Sequence, residues 1–264
     1  MDSIRHWFLA PRDPAESIPF SAKVANVLLV LTGVAIVFIL AFRAQEISLN
    51  WAAIQDYWWL FASALGNTLI ISVGTLLLSL PIGVLGALSQ RSYFLPLRYG
   101  AKTYVELIRG TPLIAQILLF YYVLGSAVRL DNAFIAGIII LSIFNGAYIT
   151  EIIRGGIDTV GQTQMESARA IGLTTFQAYR YVILPQALRH SLPSLAGQFV
   201  SMVKDSSLLS TIAVAEFTFQ CRQAANITYS TFECFFVMTV GYLIITLPLS
   251  ALARWLERRM VYET

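Results

Sequence analysis

Residues 166–185 read ESARAIGLTTFQAYRYVILP, a polar and basic island in a chain that is otherwise mostly apolar. Glu166, Ser167, Ala168, Arg169, Ala170 and Ile171 form helix readily, Gly172 supplies a left-handed stop, and Thr174 can cap a second helix that Phe176 to Leu184 extend as far as Pro185. Short helices joined at Gly172, with Ala168 and Gly172 on a thin face, suit docking into a groove on another protein. The stretch therefore reads as a partner contact and not as a catalytic site.

Outward from the island the composition leaves one environment. The chain has 264 residues, 57% hydrophobic and 12% charged, with a mean hydropathy of +0.68, too apolar and too charge-poor for a soluble domain of this length. Uncharged runs at 24–42, 60–89, 111–128, 132–150 and 234–253 each approach or exceed the roughly 20 residues a helix needs to cross the hydrocarbon core. A further run at 191–215 is long enough but is interrupted by Lys204 and Asp205. Six transmembrane helices in an all-α integral membrane fold are predicted. The first run begins only at Val24, has no small-residue cleavage pattern behind it, and reads as a retained span.

Basic residues orient these spans. The link after the second run carries Arg91, Arg98 and Lys102, the central island adds Arg154, Arg169, Arg180 and Arg189, and the tail has Arg254, Arg258 and Arg259. The first link sets Arg43 against Glu46 and Asp56, and the link at Arg129 and Asp131 is neutral. By the positive-inside rule the basic segments and both termini are cytoplasmic. Trp51, Tyr57, Trp58 and Trp59 then fall at the outer interface, where amphipathic rings collect.

Polar residues inside the spans mark where helices face protein or water. Ser194, Gln198, Ser201 and Asp205 are spaced to share one helical face. Asp205, in the middle of its run, is expensive to keep ionised and is a functional candidate; the bland alternative is a pair with Lys204, strained because neighbours point about 100° apart on a helix. Asn145 is either packing glue or a substrate contact. Glu106 with Arg109, and Glu151 with Arg154, sit at local ion-pair spacing. Asn67, Thr68, Ser72, Gly74 and Thr75 give the second span a small, polar packing side. Cys221 and Cys234 read as free buried thiols, with a disulfide as the alternative, and no residues group as metal ligands.

Three motifs carry a resemblance. The island is similar to the EAA loop of ABC importer permeases, Glu-Ala-Ala-x-x-x-Gly followed by Ile-x-Leu-Pro: Glu166, Ala168, Gly172, Leu184 and Pro185 are in register, with Ser167 and Val182 as small departures. Arg109-Gly110-Thr111-Pro112-Leu113 and Lys204-Asp205-Ser206-Ser207-Leu208 resemble signatures of the polar amino acid branch, the histidine, glutamine and arginine type. The resemblance spans roughly residues 60 to 254 and implies the type I ABC importer permease fold, a five-helix core to which 24–42 adds an N-terminal helix. The implied domains are a lead, extra span and outer loop at 1–59, a transmembrane domain at 60–254 with its cytoplasmic loop at 154–190, and a tail at 255–264.

By the same resemblance the chain is a permease subunit in a bacterial inner membrane. It would pair with a second permease, identical or paralogous, on a cytoplasmic ATPase dimer, and receive a polar amino acid from an extracytoplasmic binding protein. Glu166, Ser167, Ala168, Gly172, Leu184 and Pro185 would couple to the ATPases; Asn145, Ser194, Gln198, Ser201 and Asp205 would line the substrate path. No Gly-x-x-x-x-Gly-Lys-Ser/Thr loop occurs, so ATP and Mg would be held by the partner ATPases, and the chain itself has no catalytic residue, cofactor, metal or nucleic-acid role. An ion-coupled secondary transporter of small polar solutes is the alternative, though no internal repeat is visible. An intramembrane hydrolase would have only Lys204 and Ser207 for a dyad.

Overall fold

A computed structural model describes residues 18–44 and 49–261. The expected lead at 1–17, Glu46 and Glu263 lie outside them. By backbone contacts the chain falls into two compact units, one ending at Leu49 and the other beginning at Asn50. The reason is local: the Asn50 N–H donates to the Glu233 carboxylate, and the Trp51 ring meets Phe236 edge-on at 5.7 Å, so the 3-10 turn Trp51–Tyr57 belongs to the second unit.

The first unit contributes helix α1 (Phe20–Ala44), whose apolar residues are spread around its circumference. The second unit contains α2 (Trp58–Ser89), α3 (Leu95–Arg109), α4 (Leu113–Leu119, widening into a π turn at Phe120–Gly125), α5 (Ala133–Thr159), α6 (Gln162–Ala170), α7 (Thr175–Ala178), α8 (Leu184–Asp205), α9 (Phe217–Thr228) and α10 (Thr231–Val261). Among the described residues no strand occurs.

Among the described residues four helical stretches are long and apolar enough to cross a bilayer: Phe20–Arg43, Trp51–Ser89, Ala133–Thr159 and Thr231–Arg259. Leu95–Arg109 and Leu113–Gly125 qualify together, bent by 108°, as a fifth. The predicted six are not reached by this measure. The run at 111–128 is shortened because Gly110 and Pro112 break the chain before α4, and α8 carries Arg189, His190, Lys204 and Asp205.

The scaffold is α5 packed against α2 on one side and α8 on the other. Apolar burial does not drive helices together in lipid, so contact relies on small residues that let backbones approach. A Cβ at Gly83 would lie 2.2 Å from Ile149 Cγ2, and one at Gly156 would lie 2.0 Å from Ser191 Oγ. Thr68, Ser72, Thr75 and Ser79 line this seam, fully buried. Ser72 and Thr68 satisfy their hydroxyls by bonding back along α2, and Thr68 Oγ1 also accepts the Phe217 N–H that starts α9.

Candidate functional site

Between α5 and α8 the predicted docking loop is built from two interlocked caps. α6 ends in a Schellman turn: the Leu173 N–H donates to Ala168 O at 3.1 Å and the Gly172 N–H to Arg169 O at 2.9 Å, with Gly172 at φ +84°. The next helix opens with a reciprocal capping box, Thr174 N–H to Gln177 Oε1 at 2.9 Å and Gln177 N–H to Thr174 Oγ1 at 3.3 Å. The N–H groups of Gly172, Leu173, Thr174 and Gln177 are thus all bonded within the corner.

Two details differ from the sequence reading. Ala168, expected on a thin face with Gly172, is only 3% exposed and is covered by its own chain. The Schellman turn directs it toward its own chain, leaving Glu166, Ser167, Gly172 and Pro185 exposed and Leu184 half-buried. Pro185 does not end its helix. A π turn at Tyr179–Ile183 precedes it and runs directly into α8, widening the backbone where a proline can supply no N–H. The outer surface also presents Ile171 at 77% and Phe176 at 72% exposure, apolar residues flanking the glycine that sequence reasoning passed over. The available signal was two large apolar side chains in a loop otherwise polar.

Above the loop a chain of ion pairs joins three elements. Arg91, just after α2, contacts Asp158 at 2.6 Å; Asp158 contacts Arg154 at 2.8 Å; Arg154 contacts Glu151 at 2.9 Å; and Glu151 contacts Arg109, at the end of α3, at 3.2 Å. The expected Glu151 and Arg154 pair is present. Arg109, however, pairs with Glu151 and not with Glu106, because the break at Gly110 sets its guanidinium beside α5 and over the Tyr148 ring, 5.4 Å from the centroid. Arg91 also bonds Tyr179 in the π turn, so the chain of ion pairs touches the docking loop. Burial works against its charge, but the bonds to Asp158 and Tyr179 outweigh that and hold the guanidinium above its ordinary value.

The predicted substrate residues are only partly brought together. Asn145 is fully buried on α5; its Nδ2 donates to Leu141 O at 3.0 Å and its Oδ1 accepts from Gln198 Nε2 of α8 at 2.8 Å. Ser194 is exposed, and Gln198, Ser201 and Asp205 are half-buried along one side of α8. Asp205 is the last residue of the α-helix and does not sit mid-helix, because the backbone tightens into a 3-10 turn, Ser206–Ile212, where Ser206 Oγ bonds back to Val203 O. No ion pair joins Asp205 to a described residue, Lys204 included.

Beyond this turn lies a feature the sequence reading missed. Glu216 is wholly buried and caps α9, accepting from Thr218 N–H at 2.8 Å, Phe219 N–H at 2.7 Å and the Tyr242 hydroxyl at 3.0 Å. Its signal was an acidic residue immediately before a helix-forming run. Cys221 and Cys234 are both free and buried, in one apolar cluster with Phe61 and Phe217. Among the described residues no group of His, Cys, Asp and Glu could hold a metal ion.

Long apolar helices packed on small residues, with a capped polar loop between α5 and α8, make a bundle suited to a bilayer. Residues 79–262 match the family described as "Binding-protein-dependent transport system inner membrane component", and the chain belongs to that family. It is 36% identical over 213 residues to the "Probable glutamine ABC transporter permease protein GlnM" of Bacillus subtilis (strain 168), covering 80% of this chain and 98% of that protein. It is 38% identical over 214 residues to the "Glutamine transport system permease protein GlnP" of Escherichia coli (strain K12), covering 80% and 97%.

Among solved structures, an amino acid ABC transporter crystallised with histidines aligns with a TM-score of 0.74 at 36% identity, over 81% of this chain and 100% of that one. An inward-facing MetNI methionine ABC transporter aligns with a TM-score of 0.66 over 78% and 98%, and at 18% identity it supports the fold alone. The fold is that of a type I ABC importer permease, and the chain is the membrane-spanning subunit of such an importer, whose family works with an ATPase and a binding protein.

Proposed function

We propose that this permease carries polar amino acids into the cell, with Asn145, Ser194, Gln198, Ser201 and Asp205 along the path and Asp205 accepting a hydrogen bond from the substrate ammonium. The observation that carries the reading is the Asn145 and Gln198 amide pair, a polar contact sealed between α5 and α8 and continuous with the half-buried side of α8 that ends in a carboxylate without an ion-pair partner among the described residues. Similarity to relatives named for glutamine transport supports the substrate class.

The permease pairs with a second permease, identical or paralogous, and the two stand on a cytoplasmic ATPase dimer that binds ATP and Mg. A binding protein delivers cargo from the other side of a bacterial inner membrane, and both termini of this chain face the cytoplasm. Glu166, Ser167, Gly172 and Pro185, together with Ile171 and Phe176, form the surface the ATPases grip; Ala168 and Leu184 support it from within. Closure of the ATPases on ATP moves the loop as a rigid body and switches the access of the path, a transition biased by ligand.

The test is uptake into proteoliposomes of the complete transporter, with radiolabelled glutamine, arginine and histidine offered in turn. Uptake of at least one, dependent on internal ATP and on the binding protein, is the expected result. Uptake that survives without ATP and collapses with an uncoupler would overturn it in favour of the ion-coupled transporter.

A further inference from the structure

A cavity of about 660 Å³ lies beside α3, and none of the proposed substrate-path residues lines it. Its wall carries Arg91, Arg98, Lys102, Arg109 and Arg154 against Glu106, Glu151 and Asp158, a cationic excess. Arg91, Arg109 and Arg154 are occupied by the ion pairs described above. Arg98 and Lys102 are not: they stand one helical turn apart on α3, and among the described residues neither has an ion pair, the Lys102 ammonium resting 5.8 Å from the Tyr99 ring centroid. The cavity thus presents two cations with spare donors, and both carboxylates of α5 in it are already committed.

The surroundings decide which anion fits. The turn that leads into α3 exposes Tyr93 at 95%, with Phe94, Leu95 and Leu97 also exposed. This apolar group comes directly after the end of the α2 span. α3, the first arm of the bent pair, is amphipathic, with cations on its cavity side and rings and aliphatic chains beside them, the arrangement that holds helices to anionic bilayers. A soluble anion would have use for the cations and none for the apolar rim.

We propose that this cavity seats the phosphate headgroup of an acidic phospholipid on Arg98 and Lys102, with its acyl chains beside Phe94 and Leu97. The placement rests on the cytoplasmic orientation of α3 proposed above. The bond is charge complementarity, roughly five-fold in affinity for each surface cation.

The experiment uses the complete transporter in nanodiscs of phosphatidylcholine, alone or mixed with phosphatidylglycerol, and counts the phosphatidylglycerol retained on release by native mass spectrometry. The wild type is expected to retain it, and Arg98→Gln with Lys102→Gln to bind it roughly thirty-fold more weakly. The charge-conserving Arg98→Lys with Lys102→Arg, expected to behave as wild type, guards against a variant that merely misfolds. Equal retention by the wild type and the neutralised variant overturns the site. Displacement of the lipid by millimolar inorganic phosphate overturns the lipid as its source. Orientation is read separately by labelling Tyr93→Cys with a membrane-impermeant maleimide: labelling in inverted vesicles alone is expected, and labelling of intact cells would overturn the orientation and the lipid leaflet with it.

Discussion

The ion-pair chain at Arg91, Asp158, Arg154, Glu151 and Arg109 and the polar side of α8 hold charge in opposite ways. In the ion-pair chain each carboxylate meets two guanidinium groups, and side chains stay partly exposed, between 21% and 46%. Charge there is redundant and solvent-screened, and losing one pair costs little. Along α8 one amide pair is the only hydrogen bond between side chains across to α5 among the described residues, and the one carboxylate has no ion pair among them, so neither is duplicated. The difference teaches that this molecule places expendable charge where it fastens elements and unduplicated charge where cargo is proposed to pass.

If that contrast holds, Asp205→Asn should have the largest effect. Transport should fall roughly ten- to a hundred-fold, the worth of one charge-assisted hydrogen bond, while ATPase association is unchanged in pull-down. Full transport by this variant would falsify the assignment of Asp205 to the path.

Next in size is the amide pair. Asn145→Leu leaves the Gln198 amide without its partner and should cost about 1–3 kcal/mol in thermal stability of the purified complex. Asn145→Leu combined with Gln198→Leu should cost less than the sum of the singles, and simple additivity in this double-mutant cycle would show that the two amides do not interact.

Gly172→Val asks a β-branched residue to take φ +84° and should lose about 1–2 kcal/mol at the loop. The expected readout is weaker capture of the ATPase with the spans intact by circular dichroism; unaltered capture would mean that the corner does not set the docking surface. Smallest of all, Arg91→Gln should change stability by less than about 1 kcal/mol, and added salt should erase even that. A larger loss would erase the contrast between the two regions.

Much of this architecture was legible in the sequence because membrane insertion is written in composition and loop chemistry in single residues. Gly172 and Thr174 announced the corner, and the spacing of Gln198 and Asp205 placed them on one side of α8. The direction Ala168 faces was not legible, since a helix in a loop has no apolar stripe long enough to show which side its own chain covers. The partner of Arg109 was hidden for another reason: local spacing pointed to Glu106, while Glu151 lies on α5, distant in the chain, and meets Arg109 only through the packing of α3 on α5. Glu216 went unnoticed because capping by a buried carboxylate depends on Tyr242, which is distant in the chain.

The continuous passage from the π turn into α8 puts the loop and the carboxylate at the two ends of one helix, with Pro193 its one interior point of lost backbone bonding. Its 22 residues from Leu184 to Asp205, at about 1.5 Å each, give a length of roughly 33 Å. A tilt of about 10° at the loop end would sweep the far tip by roughly 6 Å, about the width of a small side chain. Leverage of that kind requires stiffness along the shaft and a firm handle, and the paired caps around Gly172 supply the handle.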